Sequence, residues 1–295
     1  MYRTWKEASC YGRVFRVCFP LVMSMSATTV MEFTDRVFLS NYSVNAISAV
    51  APAGITAYLF MAFLGGVAGY SQVFIAQYYG AGKNSRIGST LWQGIYFSLC
   101  SGIIFWALSW FAAEPIFRIA GHPPEIFSLE VLYFNILCRG AVFHVAMNAL
   151  SAFFAGRGIT RPVMIFHIFG MLINIPLDYA LIFGAWGLPE LGVQGAALAT
   201  VAAWLIITVL LTVFIFTPPN IERYNLLSTW TFDKNLFLRF MKFGIPGSLQ
   251  FTLDILAFTV FILLVGRIGK YELAATNIVI SINALAFMPS MGVSQ

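Results

Sequence analysis

Charge is what this chain has least of. Only 10% of its 295 residues are charged, against about a quarter in an average soluble domain. With a hydrophobic fraction of 59% and a mean hydropathy of +0.81, an ordinary soluble fold is excluded. Histidine is nearly as scarce, at three residues, and no His-Glu-x-x-His, Gly-x-Ser-x-Gly or P-loop pattern occurs. The Gly-Ala-Gly of 80–82 lacks the following lysine-serine of a nucleotide loop. An intramembrane enzyme would need a nucleophile with its base, or a metal set, and neither is visible. The four cysteines (Cys10, Cys18, Cys100, Cys138) show no paired Cys-x-x-Cys spacing, so they read as small apolar filler rather than a disulfide or metal framework. Acids number only 12. The net charge of +5 does not indicate nucleic acid, because the basic residues lie scattered at the ends of apolar segments.

What the chain has in abundance is long apolar sequence. Runs of about 20 residues or more can span a bilayer. Eight are readable, at 14–41, 46–79, 87–112, 126–154, 162–183, 192–216, 241–265 and 272–295. The breaks carry turn residues, such as Asn41-Tyr42-Ser43, Gly156-Arg157-Gly158 and Thr217-Pro218-Pro219-Asn220. With a cytoplasmic N-terminus, twelve of the 17 basic residues fall inside, four fall at or near the outer face, and Arg139 falls within a span. That bias sets the expected orientation. The basic first 20 residues show no short apolar core or cleavage site, so no cleaved signal peptide is expected.

The expected organisation is all-α and polytopic. Residues 1–216 carry six spans, 217–240 form a cytoplasmic connector ending in an amphipathic interfacial stretch near 232–243, and 241–295 begin a second unit. The second unit resembles the first. RVFRVCFP (13–20) aligns with RFMKFGIP (239–246), and the same register pairs Ala49 with Ala275 and Gly66 with Gly292. Internal repeats are a common transporter device. A repeat of about 226 residues predicts a whole chain near twice that length, roughly 450, with about four helices beyond Gln295.

Against this background three acids stand out: Asp35, Asp178 and Asp254 lie inside apolar runs. A charge at bilayer depth costs at least ~2.5 kcal/mol, so it marks water, a partner or a substrate. Asn174 and Asp178 are four apart and share a helix face, with Pro176 between them freeing the carbonyl of Leu172. Such a group can handle a cation or proton, or simply stabilise a kink. At 1.5 Å per residue, Asp35, Asp178 and Thr200 fall about 9, 8 and 12 Å from the outer ends of the first, fifth and sixth spans. One layer in the outer half of the membrane is therefore predicted to hold all three. Glu32 is one turn from Asp35, with Arg36 adjacent as a local counter-charge. Asp254 lies near the midplane of the seventh span, with Gln250 one turn before it. Arg139 either counters a buried acid, fills space or faces the cytoplasm. His144 and His167 read as packed, satisfied histidines. The 29 Phe and 11 Met mostly face lipid or neighbouring helices, and a minority lining a cavity would suit flat cationic ligands.

In order along the chain stand FPLVMS (19–24), FTDRVF (33–38), AQYYGAGK (76–83), GRGITRPVM (156–164), NIPLDY (174–179), LGVQGAALAT (191–200), GIPGSLQFTLD (244–254) and LAFMPSMGVSQ (285–295). In this set the chain resembles the multidrug and toxic compound extrusion (MATE) family of secondary antiporters. The resemblance implies two six-helix lobes around a central cavity, with a complete N-lobe here and only the first two helices of the C-lobe. It implies an N-lobe cation site at Asp35, Asn174, Asp178 and Thr200, with Na⁺ held, if at all, at Asp35 and Asp178. It also implies a second cation or substrate role for Asp254, to which Gln250 and Glu32 are added from their helix faces. The coupling ion is H⁺ or Na⁺, with no other cofactor. The implied activity is export of small organic, cationic drugs or metabolites across the bacterial inner membrane, by a multi-pass monomer with no nucleic-acid partner. Two departures stand out: an acid at Asp178, where NorM-type members often carry Asn, and the extra Glu32. A lipid-linked precursor flippase of the same superfamily is the rival; it should line its cavity with basic residues, and Arg139 is a single one.

Overall fold

The computed structural model describes residues 9–120 and 123–268. Among them there are helices and no strand. In chain order these are α1 (Ser9–Tyr42), α2 (Val44–Gly69), α3 (Ser71–Gly80), α4 (Asn84–Phe111), α5 (Ala113–Ala120), α6 (Pro124–Ala155), α7 (Arg161–Phe183), α8 (Val193–Ile215), α9 (Pro218–Tyr224) and α10 (Lys234–Ile268). Among the described residues six spans are long and apolar enough to cross a membrane: Phe15–Tyr42, Val44–Gly80, Asn84–Phe111, Pro124–Ala155, Arg161–Phe183 and Val193–Ile215. They coincide with the first six apolar runs. The run at 272–295 lies outside the described residues.

Three local features depart from the expected outline. The second span is locally perturbed at Tyr70, which keeps helical φ −59° and ψ −18°, after the helix-weakening Gly65, Gly66 and Gly69, and the Ser71 hydroxyl donates to the Ala68 carbonyl there. The connector contains a helix, α9, started by Pro218 at its first position. The amphipathic stretch and the seventh apolar run, expected as two elements, form the single helix α10, which passes through 240/241. Asp233 starts that helix by accepting the Leu236 backbone N–H at 3.0 Å, and Pro246 lies within it without ending it.

Lipid tails are as apolar as leucine, so membrane helices associate through close packing rather than burial from water. Helix α6 is central, flanked by α2, α4 and α8; α7 joins α8 to α1, and α10 leans on α2. Small residues set the closest approaches. A Cβ on Gly140 of α6 would lie 2.3 Å from Val201 of α8. One on Gly195 of α8 would lie 2.5 Å from the Leu181 carbonyl oxygen of α7.

The two ends of the bundle differ. At one end meet the start of α1, the α3–α4 and α6–α7 turns and the connector: Thr160 donates to the Val17 carbonyl, Trp92 to that of Leu226, and Arg86 pairs with Asp233 at 2.8 Å. The opposite end carries the α7–α8 hairpin and the Asn45–Glu125 hydrogen bond. Arg157 pins the connector at the first end. It is 7% exposed, its guanidinium stands 3.8 Å from the Phe153 ring centroid and 4.8 Å from that of Tyr224, and its Nε donates to the Phe153 carbonyl at 2.7 Å. Arg157→Ala is expected to lower stability by about 2–4 kcal/mol, measured by thermal unfolding in detergent. Lysine should restore under half of the loss, since an ammonium lacks the planar face that stacks on both rings.

Candidate ion-binding site

Helices α1, α7 and α8 meet over four polar side chains in otherwise apolar surroundings. Asp35 (5% exposed) comes from α1, Asn174 and Asp178 (both 0%) from successive turns of α7, and Thr200 (7%) from α8. The Thr200 hydroxyl lies 3.2 Å from Asp35 Oδ2 and 3.0 Å from the Ala196 carbonyl. The Asp35 and Asp178 carboxyl groups face each other closely enough to share one proton, and Asn174 adjoins Asp178. As carboxylates, however, both are acceptors only. Asp35 Oδ1, both oxygens of Asp178 and both amide atoms of Asn174 have no hydrogen-bond partner among the described residues. Neither acid is ion-paired there.

Buried polar groups are nearly always satisfied, and an orphan calls for an unseen partner. Two acids and an amide oxygen aimed at one another want a positive ion between them. Every available donor atom but the amide nitrogen is oxygen, the set that suits a proton or a hard cation and not a thiophilic metal.

The chain builds this cluster from two local devices. Gly192 has φ 52° and ψ −123°, a backbone region nearly confined to glycine, and a Cβ there would lie 2.7 Å from the Tyr42 ring. The bare backbone lets the end of α1 dock on the α7–α8 hairpin. Above the acids the docked end forms an aromatic cover: Phe38 packs edge-on to Tyr179 (5.8 Å) and Phe183 (6.2 Å), and Tyr42 to Phe183 (6.1 Å). Gly195 is the second device, bringing α8 against α7 beside the site.

The other singled-out residues lie elsewhere. Glu32 is exposed on α1, within electrostatic reach of Arg36 and Asp35. Asp254 and Gln250 are exposed on α10, one turn apart, and do not join the Asp35 cluster. Among the described residues Arg139 pairs with no acid; it is exposed, 5.7 Å from the Trp110 ring centroid near the end of α4. His144 packs edge-on to Trp204 at 5.1 Å, while its Nδ1 and the Nε2 of His167 are buried without a partner among the described residues, so neither is the satisfied histidine expected. One residue went unnoticed in the sequence: Tyr133 of α6, 6% exposed, lies within electrostatic reach of Asp35 and Asp178. A tyrosine in an apolar span needs a partner for its hydroxyl, and that was the available signal.

Known proteins align with this arrangement. The chain is 27% identical to the multidrug resistance protein NorM of Aliivibrio fischeri over its whole length, covering 63% of that protein. It is 30% identical over 265 residues to a probable NorM of Thermotoga maritima, covering 56% of it. The chain thus spans about three fifths of the length of these curated relatives. Its fold superimposes on the outward-facing conformation of a multidrug resistance MATE family transporter with a TM-score of 0.82 and 21% identity, over 95% of this chain and 62% of that one. The MatE family model matches residues 20–180, more than half of the sequence and inclusive of Asp35, Asn174 and Asp178, and the chain belongs to that family.

Proposed function

We propose that this chain is the ion-coupling part of a cation-coupled antiporter that exports small organic cations across the bacterial inner membrane, with its N-terminus in the cytoplasm. The observation that carries the reading is the buried pair Asp35 and Asp178, which has one hydroxyl donor and no ion-pair partner among the described residues. A proton or Na⁺ bound by both acids, with Asn174 and Thr200 as neutral oxygen partners, neutralises the pair and draws α1 against α7 and α8. Loss of the ion lets α1 move away. Because α1 contributes one acid and α7 the other, the bound and empty states differ in helix position, which is the differential affinity that a switch requires.

The remaining assignments follow from position. Residues 1–216 form an N-lobe, α10 opens a C-lobe, and Asp254, Gln250 and Glu32 stand exposed to attract a cationic substrate or a second ion. The density of Lys and Arg at the connector end supports the cytoplasmic placement of the N-terminus. The lipid-linked flippase draws no support from Arg139, which stacks on an exposed tryptophan. The test is flux. Whole-length protein in proteoliposomes should export an aromatic cation when an opposing H⁺ or Na⁺ gradient is imposed, and the substrate should stimulate movement of that ion. Transport indifferent to both gradients would reject the coupling.

A further inference from the structure

At the connector end a cavity of about 280 Å³ opens between three segments. Tyr78 of α3, Lys83 of the α3–α4 turn and Arg86 of the first turn of α4 line one side; Asp233, which caps α10, and Asn235, Leu236 and Arg239 of its first turns line the other. Three cations thus face one carboxylate. Asp233 is already engaged: its Oδ1 accepts the Leu236 N–H and its Oδ2 lies 2.8 Å from Arg86. Those contacts, the backbone N–H first and the Arg86 guanidinium after it, hold its carboxyl below the usual carboxylate range. Asp233 therefore stays charged near neutrality, and the lining keeps two positive charges in excess. Arg239 is steadied over the Phe74 ring at 5.9 Å, while Lys83 and Arg239 remain exposed.

Apolar side chains are exposed on the segments that form the cavity. Leu238 and Phe243 on α10 and Tyr79 on α3 are 55%, 47% and 40% exposed, and Trp230 and Phe232 of the connector are 60% and 55% exposed. Exposed aromatic residues at the ends of spans sit at the headgroup level. A basic pocket at that level, flanked by apolar surface that can lie along an acyl chain, matches an anionic lipid better than a soluble anion.

We propose that this pocket binds the phosphodiester headgroup of an anionic lipid through Lys83, Arg86 and Arg239. The bound headgroup bridges the α3–α4 turn to the start of α10 and fastens the second unit to the first. The full chain, purified in a neutral detergent, is to be exposed to dioleoylphosphatidylglycerol or dioleoylphosphatidylcholine and its retained lipid read by native mass spectrometry. Wild type should retain phosphatidylglycerol and release phosphatidylcholine. The Lys83→Gln/Arg239→Gln pair should lower phosphatidylglycerol retention by roughly tenfold or more. Asp233→Asn keeps the helix-starting acceptor but removes the opposing charge, and should raise retention several-fold. Equal retention by wild type and the paired variant, or no gain in Asp233→Asn, would overturn the proposal. So would release of phosphatidylglycerol by millimolar inorganic phosphate, which would assign the pocket to a soluble anion.

Discussion

Whole-length protein carrying Asp35→Asn is expected to extrude no more drug than cells without the transporter, while folding at least as well as wild type. Asparagine has the size of aspartate and can still hydrogen-bond Thr200, so the geometry of α1 and α8 survives. What disappears is half of the negative charge that makes the pair want a cation. With only Asp178 left, the ion no longer has to join α1 to α7, and its binding no longer moves α1. A loss of at least about 100-fold in ion-driven efflux follows, because an interaction worth about 3 kcal/mol is removed from one state only. Stability should move the other way. A carboxylate at 5% exposure beside another at 0%, with one hydroxyl donor between them, is under-compensated, and an amide there should raise stability by about 1–3 kcal/mol. The two readouts together discriminate. A variant that loses efflux by unfolding would show a lower melting temperature, whereas a functional acid shows lost efflux with an unchanged or higher one. Asp35→Asn protein with wild-type efflux would remove Asp35 from the mechanism.

The spans were legible because length and apolarity are read directly from composition, and turn residues mark their ends. Convergence of the four polar residues was legible to a lesser degree. Counting residues from the outer ends placed Asp35, Asp178 and Thr200 in one layer, but a layer is wide, and nothing in a single sequence reports which helix faces which. Docking of α1 on the α7–α8 hairpin depends on Gly192, and the α7–α8 crossing on Gly195; their spacing resembles that of any loop followed by a small-residue helix. The continuous α10 was missed for a related reason: its polar first turns and apolar remainder read as two elements, and only the Asp233 cap and unbroken backbone join them. Arg86 and Asp233 are 147 residues apart, so their pairing had no local signature. Arg157 looked like one more basic loop residue; its three aromatic neighbours come from α6 and α9.

Gly195→Ala is expected to damage ion binding without touching any residue that holds the ion. A Cβ at position 195 would stand 2.5 Å from the Leu181 carbonyl oxygen and 2.6 Å from its carbon. Backbone cannot rotate out of the way as a side chain can, so the α7–α8 crossing must widen. Leu181 also accepts the Leu191 N–H at 2.9 Å, which ties the start of α8 to the same carbonyl and leaves little slack. Overpacking of this kind costs roughly 1–3 kcal/mol. The consequence for the site is larger than the cost in stability. Leu181 is one turn from Asp178, and Thr200 lies little more than a turn from Gly195, so the widening enters between the α7 acid and the α8 hydroxyl. A misplacement of about 1 Å among preorganised ligands weakens their joint action by roughly 100-fold. Binding of Na⁺, or proton uptake, measured calorimetrically on the purified chain should fall by that order. Gly69→Ala supplies the contrast. No atom stands within 4 Å of a Cβ at position 69, and alanine there should leave ion binding intact while stability stays level or rises by about 0.5 kcal/mol. If both glycine variants bind the ion equally well, the α7–α8 crossing does not set the geometry of the site.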